Sequence, residues 1–337
     1  MSWKKIKIKK SCGEWVEAQA PVIISASRST DIPAFYSDWF INRLKEGYVK
    51  WKNTFNGVYS YVSFAETRLI VFWTKNAEPI IDNLNYLDDK HLNYYFQFTL
   101  NDYDAEKLEP RVPCVKKRIE TFQNLSERIG KKKVIWRFYP LILTDKIGVD
   151  ELLRKVENTG NQLQGYTEKL VFSFADIKIY RKVQHNLRSN CIAYQEFNER
   201  TMNEFSAGLQ KLNENWRFEL ATCAEQIPLE RFDIKHNKCV DEDLIIDLFH
   251  DDKCLMDFLG VKVSPTNIFT SNLTFAKTKD NKDKGQRELC GCIVSKNIGD
   301  YDTCPHLCEY CYANTNKNVV LTNWNLHKEN PNNETIK

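Results

Sequence analysis

A partial (β/α)6 barrel of the TIM-like α/β class, followed by a cysteine-rich C-terminal extension, is the fold the sequence predicts. Three observations predict it. Up to about residue 222, short apolar and β-branched runs alternate with longer segments of helical spacing, the rhythm of parallel β/α units. Six such runs occur, and polar or charged residues follow each at its C-terminal end, where barrels of this type keep their chemistry. Beyond residue 235 the rhythm stops and cysteines accumulate.

The elements follow in order. Residues 1–20 form a lead-in whose start, Met1 to Lys10, is basic and strand-like. The barrel is expected over 21–234, with strands at Val22 to Ser25, Leu69 to Trp73, Tyr94 to Thr99, Lys133 to Arg137, Lys169 to Phe174 and Arg217 to Thr222, each an apolar run of strand length. Phe35 to Glu46, Val112 to Ile129, Val149 to Glu157 and Asn203 to Asn215 carry apolar residues three and four apart and read as amphipathic helices. The segment 235–314 opens with a helix, Asp241 to Phe258, passes through the almost wholly charged or amide stretch Lys277 to Glu288, and ends in the cysteines. A polar, Asn-rich tail, 315–337, is expected to be mobile.

At 337 residues and 42% hydrophobic, the chain can bury a substantial core. No run of eighteen apolar residues occurs, so no membrane span is expected. A formal charge of +3, from 48 basic and 45 acidic residues, creates no strong field for polyanions and neither demands nor excludes nucleic acid. Eleven cysteines are many for a chain with no export signal, and a cytoplasmic location, where disulfides are disfavoured, turns the expectation toward metal or redox use. Cys12, Cys114, Cys191 and Cys254 are scattered and read as ordinary buried thiols, whereas the other seven lie in the last third.

Cys304, Cys308 and Cys311 have the spacing C-x3-C-x2-C. Three thiolates on one tight loop leave one iron of a 4Fe-4S cluster without a protein ligand. An iron open in that way can chelate the amino and carboxylate groups of S-adenosyl-L-methionine, and a low-potential cluster can reduce its sulfonium to release a carbon radical. Tyr310 and Tyr312 flank the last two thiols and suit shielding of the cluster and positioning of adenine. A zinc knuckle is the competing reading, with Cys290 and Cys292 or His306 completing the set. Cys223, Cys239, Cys290 and Cys292 make a further set of four, suited to a second cluster or a structural zinc; for Cys223, at a strand end, a buried core thiol is an equal alternative.

The strand ends supply the remaining candidates. They are Ser25, Arg28 and Asp31 after the first strand; Thr74, Lys75 and Asn76 after the second; Gln97 in the third; Arg137 in the fourth; Ser173 in the fifth; and Glu225 after the sixth. Arg28, Asp31, Gln97, Arg137 and Glu225 are the catalytic candidates, and the others, with Tyr310 and Tyr312, the cofactor-binding ones. Arg28 and Asp31 suit a buried ion pair, or Asp31 suits a helix cap just before Pro33.

The chain resembles the DUF1848 family, and in motif the spore photoproduct lyase-like radical S-adenosylmethionine proteins. The resemblance runs over about residues 20 to 314. It is carried by Val22-Ile-Ile-Ser-Ala-Ser-Arg-Ser-Thr-Asp-Ile-Pro, Val71-Phe-Trp-Thr-Lys-Asn, Tyr95-Phe-Gln-Phe-Thr-Leu, Trp136-Arg-Phe-Tyr-Pro, Thr222-Cys-Ala-Glu, Cys290-Gly-Cys and Cys304 to Asn314. It implies the partial barrel, with the three-cysteine loop after the last strand where most radical S-adenosylmethionine proteins have it after the first. By the same resemblance Thr74-Lys75 and Arg137 with Pro140 line the cofactor pocket. Lys75 would meet the methionine carboxylate, and Arg137, Ser173 and Gln97 the ribose or substrate. The glycine-rich turn usual for the methionine amino group is not recognisable.

The expected function is therefore an iron-sulfur enzyme that cleaves S-adenosyl-L-methionine to a 5'-deoxyadenosyl radical. Its substrate is left open, a nucleic-acid base or lesion being one case, and its electrons come from a small reductant or a flavodoxin- or ferredoxin-type donor. The alternative is a non-catalytic nucleic-acid-binding module, stabilised by zinc or a cluster, using a Lys- and aromatic-rich surface.

Overall fold

The computed structural model describes residues 3–54, 56–223, 225–267 and 270–337. Met1 and Ser2 of the expected lead-in and Ala224 of the Thr222–Glu225 motif lie outside the described residues. Eight strands form the large sheet: β1 Ile23–Ala26, β2 Leu69–Thr74, β3 Asn93–Thr99, β4 Val134–Leu141, β5 Lys169–Phe174, β6 Glu219–Thr222, β7 Ile234–His236 and β8 Lys296–Asn297. Their order is β7-β6-β5-β4-β3-β2-β1-β8, parallel at every described pairing. The sheet is open, its two outer strands making no described pairing with each other.

The six expected strands are β1 to β6. Only β4 departs by more than two residues at an end, running on to Leu141 because Phe138 and Leu141 continue its buried pattern past Arg137. The edge strands β7 and β8 were not expected, being too short to carry a periodic signal of their own.

Alternation along the strands sorts the interior into two layers. Ile24, Phe72, Phe96, Trp136 and Phe172 face one side, where the helices Ser37–Glu46, Val115–Ile129, Val149–Leu163 and Glu199–Trp216 bury their apolar stripes. Two of these helices meet closely: a Cβ on Gly160 would stand 2.6 Å from the Trp216 ring, so only glycine lets that ring lie on the backbone. Ile23, Val71, Tyr95, Ile135, Val171 and Ala221 face the other side, which is covered by the chain after β7. Four helices that join consecutive strands thus share one face, and the strand order from β1 to β6 advances without reversal.

Several expectations are corrected. Cys12, Cys114, Cys191 and Cys254 are exposed rather than buried, since each stands in a turn or at a helix start on the surface. The helix expected over Asp241 to Phe258 is two, Glu242–Phe249 and Lys253–Leu259, because Asp252 takes an N-cap role and its carboxylate accepts from the Leu255 N–H. The lead-in is part of a four-stranded sheet, Lys4–Lys9, Trp15–Ala20, Tyr59–Ser63 and Tyr48–Lys52 in that order. The tail is ordered: Asn316 caps a helix at Lys317–Glu329, Val320 is fully buried, and the Trp39 indole N–H donates to the Asn333 carbonyl at 2.9 Å. Its asparagines act as caps and turn partners, and a few apolar side chains anchor it.

Candidate functional site

The C-terminal ends of β1 to β6 open on a cavity of about 440 Å³, within the range that holds a cofactor-sized ligand. Alternation decides its wall. Of the side chains continuing the second face beyond the apolar rungs, Trp73, Thr99, Arg137, Tyr139, Ser173 and Cys223 line it, whereas Ser25 and Gln97 do not. The loop after β1 adds Ser27 to Asp31, and the C-terminal segment adds Cys290, Cys292, Cys304, His306, Cys308, Tyr310, Cys311 and Tyr312. All seven clustered cysteines therefore face one space.

The three-cysteine loop is fastened to the strand ends by directed bonds. Tyr36 Oη donates to the Thr303 carbonyl at 2.6 Å, Thr303 Oγ1 to the Asp300 carbonyl at 2.7 Å, and Tyr312 Oη to the Arg28 carbonyl at 2.9 Å. Asn314 closes the loop, donating Nδ2 to the Cys304 carbonyl at 3.0 Å. Burial pushes the Cys304 thiol up to about 12 and Cys308 well above its usual value, the Lys75 ammonium pulling Cys308 the other way. Among the described residues, no three His, Cys, Asp or Glu side chains already stand as a metal-binding group. The donor chemistry nevertheless fits a cluster with an open iron: three thiols lie in one wall of a cavity large enough for a second ligand.

Two buried carboxylates hold this wall. Asp31 accepts from Thr74 Oγ1 at 2.7 Å, from the Lys75 and Ala34 backbone N–H groups at 2.7 and 3.0 Å, and stands 2.8 Å from His306 Nε2. It is the cap at Ile32–Phe35, one of the two roles expected of it; the other, a pair with Arg28, is not made, and its second side-chain partner is His306. Glu109 takes Lys75 Nζ at 2.6 Å, Asn101 Nδ2 at 3.1 Å and the Tyr310 hydroxyl, with Arg118 Nη1 in charge contact at 3.3 Å. Burial opposes its ionisation, yet Lys75 and Arg118 together hold the carboxyl at about 2. Lys75 lines the cavity with its charge already met by Glu109, and the Tyr310 hydroxyl is tied into the same network.

The other four clustered cysteines converge although they lie far apart in sequence. Cys223 and Cys239 have their sulfurs 3.5 Å apart, and Cys292 Sγ accepts the Cys239 and Val240 N–H groups at 3.2 and 3.5 Å. Arg137 Nη1 donates to Cys239 Sγ at 3.0 Å and to Gln97 Oε1 at 3.1 Å.

Of the sequence candidates, Arg28, Asp31, Thr74, Lys75, Arg137, Ser173, Tyr310, Tyr312 and the seven cysteines line the cavity. Ser25, Asn76, Gln97 and Glu225 are not among its lining residues. Ser25 Oγ accepts from the Trp73 indole, the Asn76 carboxamide accepts from the Glu78 N–H, and Gln97 Nε2 donates to the Cys239 carbonyl. Glu225 accepts the Phe174 N–H at 3.0 Å, with burial pushing its carboxyl up to about 7. Sequence reasoning missed Glu109, Trp73, Tyr139, Tyr180 and Arg287. Trp73 and Tyr139 sit two residues from a face-mate already recognised on the same strand, so period-two spacing was a usable signal for them. Glu109 and Arg287 lie in loops and give none.

Comparison with curated proteins and with solved structures found no match. The model of one family matches residues 23–313, from the first residue of β1 through the last cysteine loop, and covers every cavity-lining motif described above. The chain thus belongs to the family described as Domain of unknown function (DUF1848).

Proposed function

We propose that the chain is an iron-sulfur enzyme of the radical S-adenosylmethionine type. The observation that carries the reading is that Cys304, Cys308 and Cys311 line the same cavity as the C-terminal strand ends. When bound, a four-iron cluster with one open iron supplies an electron to the sulfonium of S-adenosyl-L-methionine, giving methionine and a 5'-deoxyadenosyl radical that takes a hydrogen atom from substrate. The electron enters from a small reductant or a flavodoxin- or ferredoxin-type donor. The likeness in motif to spore photoproduct lyase-like proteins belongs to this proposal, as does the reading of the sheet as a partial (β/α)6 barrel. One-directional strand order and the placement of the four strand-joining helices on a single face favour the barrel.

The chain's own residues have separable tasks. Glu109 and Asp31 fix the loop, so that the three thiols point into a preorganised wall. Arg137 stacks on Tyr139 at 4.6 Å and Trp73 at 5.2 Å, giving the cavity a flat cationic and aromatic side suited to a planar ring. Tyr312, half exposed beside Tyr180 at 5.9 Å, narrows the mouth against water. Substrate identity is left open by these groups, a nucleic-acid base being one planar candidate.

Anaerobic purification with iron and sulfide analysis, and electron paramagnetic resonance with and without S-adenosyl-L-methionine, tests the reading. Several irons and sulfides per chain and a spectrum perturbed by the cofactor are expected. Cys308→Ala should abolish reductive cleavage under dithionite while the far-ultraviolet dichroism is kept. A folded protein free of iron would overturn the proposal.

A further inference from the structure

The second thiol set has features the radical reading leaves unused. Cys223 follows β6, Cys239 follows β7, and Cys290 and Cys292 come from the segment that crosses the second face of the sheet. Three separate stretches of chain therefore converge: Cys239 Sγ stands 3.5 Å from Cys223 Sγ, its backbone N–H reaches Cys292 Sγ at 3.2 Å, and Cys290 lines the same cavity two residues before Cys292. Backbone and side-chain donors already point at the sulfurs. Cys292 Sγ accepts two N–H groups, and Cys239 Sγ accepts from Arg137 Nη1 and from Asn237 Nδ2 at 3.1 Å.

Charge is the second observation. Arg137 is 3% exposed, and its described polar partners are an amide oxygen and a thiol; no ion pair joins it to a carboxylate among the described residues. Arg28 has a buried Nη2 without a hydrogen-bond partner, lies over the Trp73 ring at 5.4 Å and is close enough to act on Cys290 and Cys292. Arg137, buried, and Arg28, partly buried with its Nη2 enclosed, are paired with no carboxylate among the described residues, and the two guanidiniums favour two compensating negative charges. Four thiolates around a divalent ion supply that number.

Spacing selects the kind of ion. Tetrahedral zinc with metal–sulfur bonds of about 2.3 Å places its sulfurs about 3.8 Å apart, close to the 3.5 Å between Cys223 and Cys239. A four-iron cube seats each thiolate on a different iron and spreads the sulfurs much farther. We propose that Cys223, Cys239, Cys290 and Cys292 form a mononuclear tetrathiolate zinc site, separate from the three-cysteine loop, whose charge is balanced by Arg28 and Arg137. Closure of the four thiolates around the ion pins the C-terminal segment to the ends of β6 and β7, and so holds the Cys304–Cys311 loop over the cavity.

The test uses the full chain purified anaerobically, with metal content read beside zinc-edge X-ray absorption. One zinc per chain with a shell of four sulfurs at about 2.3 Å is expected. The triple variant Cys304→Ala, Cys308→Ala, Cys311→Ala should keep that zinc and lose iron, and the double variant Cys290→Ser, Cys292→Ser should lose zinc alone. Iron and sulfide retained by the triple variant, a mixed nitrogen or oxygen shell, a Cys223–Cys239 disulfide, or no zinc in the unaltered protein would each overturn the site. Because the zinc edge is read on unaltered protein, a variant that fails to fold leaves the test intact. Zinc present without iron sinks the radical proposal alone, and iron without zinc sinks this one alone.

Discussion

Replacing Glu109 with glutamine removes the carboxylate that Lys75 meets inside the cavity wall. Arg118 keeps Asp104 at 3.4 Å and the carbonyls of Pro113 and Asn101, whereas Lys75 keeps the Tyr310 hydroxyl and, among the described residues, no anion. Removing one partner of a buried pair costs about 3–5 kcal/mol. The native carboxyl, at about 2 against a usual 4.5, gives a second route to the magnitude, roughly 3.4 kcal/mol at about 1.36 kcal/mol per pH unit. With an unfolding entropy of roughly 0.7 kcal/mol/K for a chain of 337 residues, Glu109→Gln should melt roughly 4–7 °C lower at pH 7. The sign follows from linkage. A depressed carboxyl contributes stability that is complete above 4.5 and is lost as pH falls toward 2, so the melting difference should narrow across that window. Differential scanning calorimetry of both proteins at several pH values reads both effects. A variant melting within a degree of its parent at pH 7, or a gap unchanged between pH 5 and pH 2.5, refutes the reasoning.

Three further perturbations have defined outcomes. In Gly299→Ala the new Cβ would lie 1.9 Å from Ser27 Oγ and 2.7 Å from Ser27 Cβ, so urea unfolding should show a loss of about 1–3 kcal/mol, partly restored by Ser27→Gly. Asp31→Ala should cost about 3–5 kcal/mol, since it strands His306 and three donors, and Asp31→Asn clearly less because one oxygen remains for Thr74 and Ala34; equal denaturant midpoints would contradict this. A chain ending at Asn330 loses buried Ile336 and the Trp39 and Lys50 bonds to the tail; a fall of about 2–4 kcal/mol is expected, and unchanged melting would show that the tail is not docked.

Residues 69–74 and 169–174 show how much was legible. Leu-Ile-Val-Phe-Trp-Thr and Lys-Leu-Val-Phe-Ser-Phe are runs of strand length that no helix pattern competes with, and they form strands beginning at the expected residue. Polar residues just beyond such runs stand at the cavity in most cases, as Asp31, Thr74 and Ser173 do. The exceptions are instructive. Gln97 lies on the cavity-side face of its strand, but Cys239 and Arg137 already occupy its amide, a contact across 142 residues of chain that no local pattern reports.

By itself the sequence determined the alternation of strands and helices, the sidedness of each strand and the set of thiols available, because these depend on spacing within a few residues. Only the tertiary structure decided that Glu109 meets Lys75, that the capping carboxylate of Asp31 also holds His306, and that seven cysteines from just after β6 to residue 311 share one cavity. The physical reason is that a buried charge takes whichever counter-charge the folded chain brings within about 3 Å, and sequence distance has no bearing on that choice.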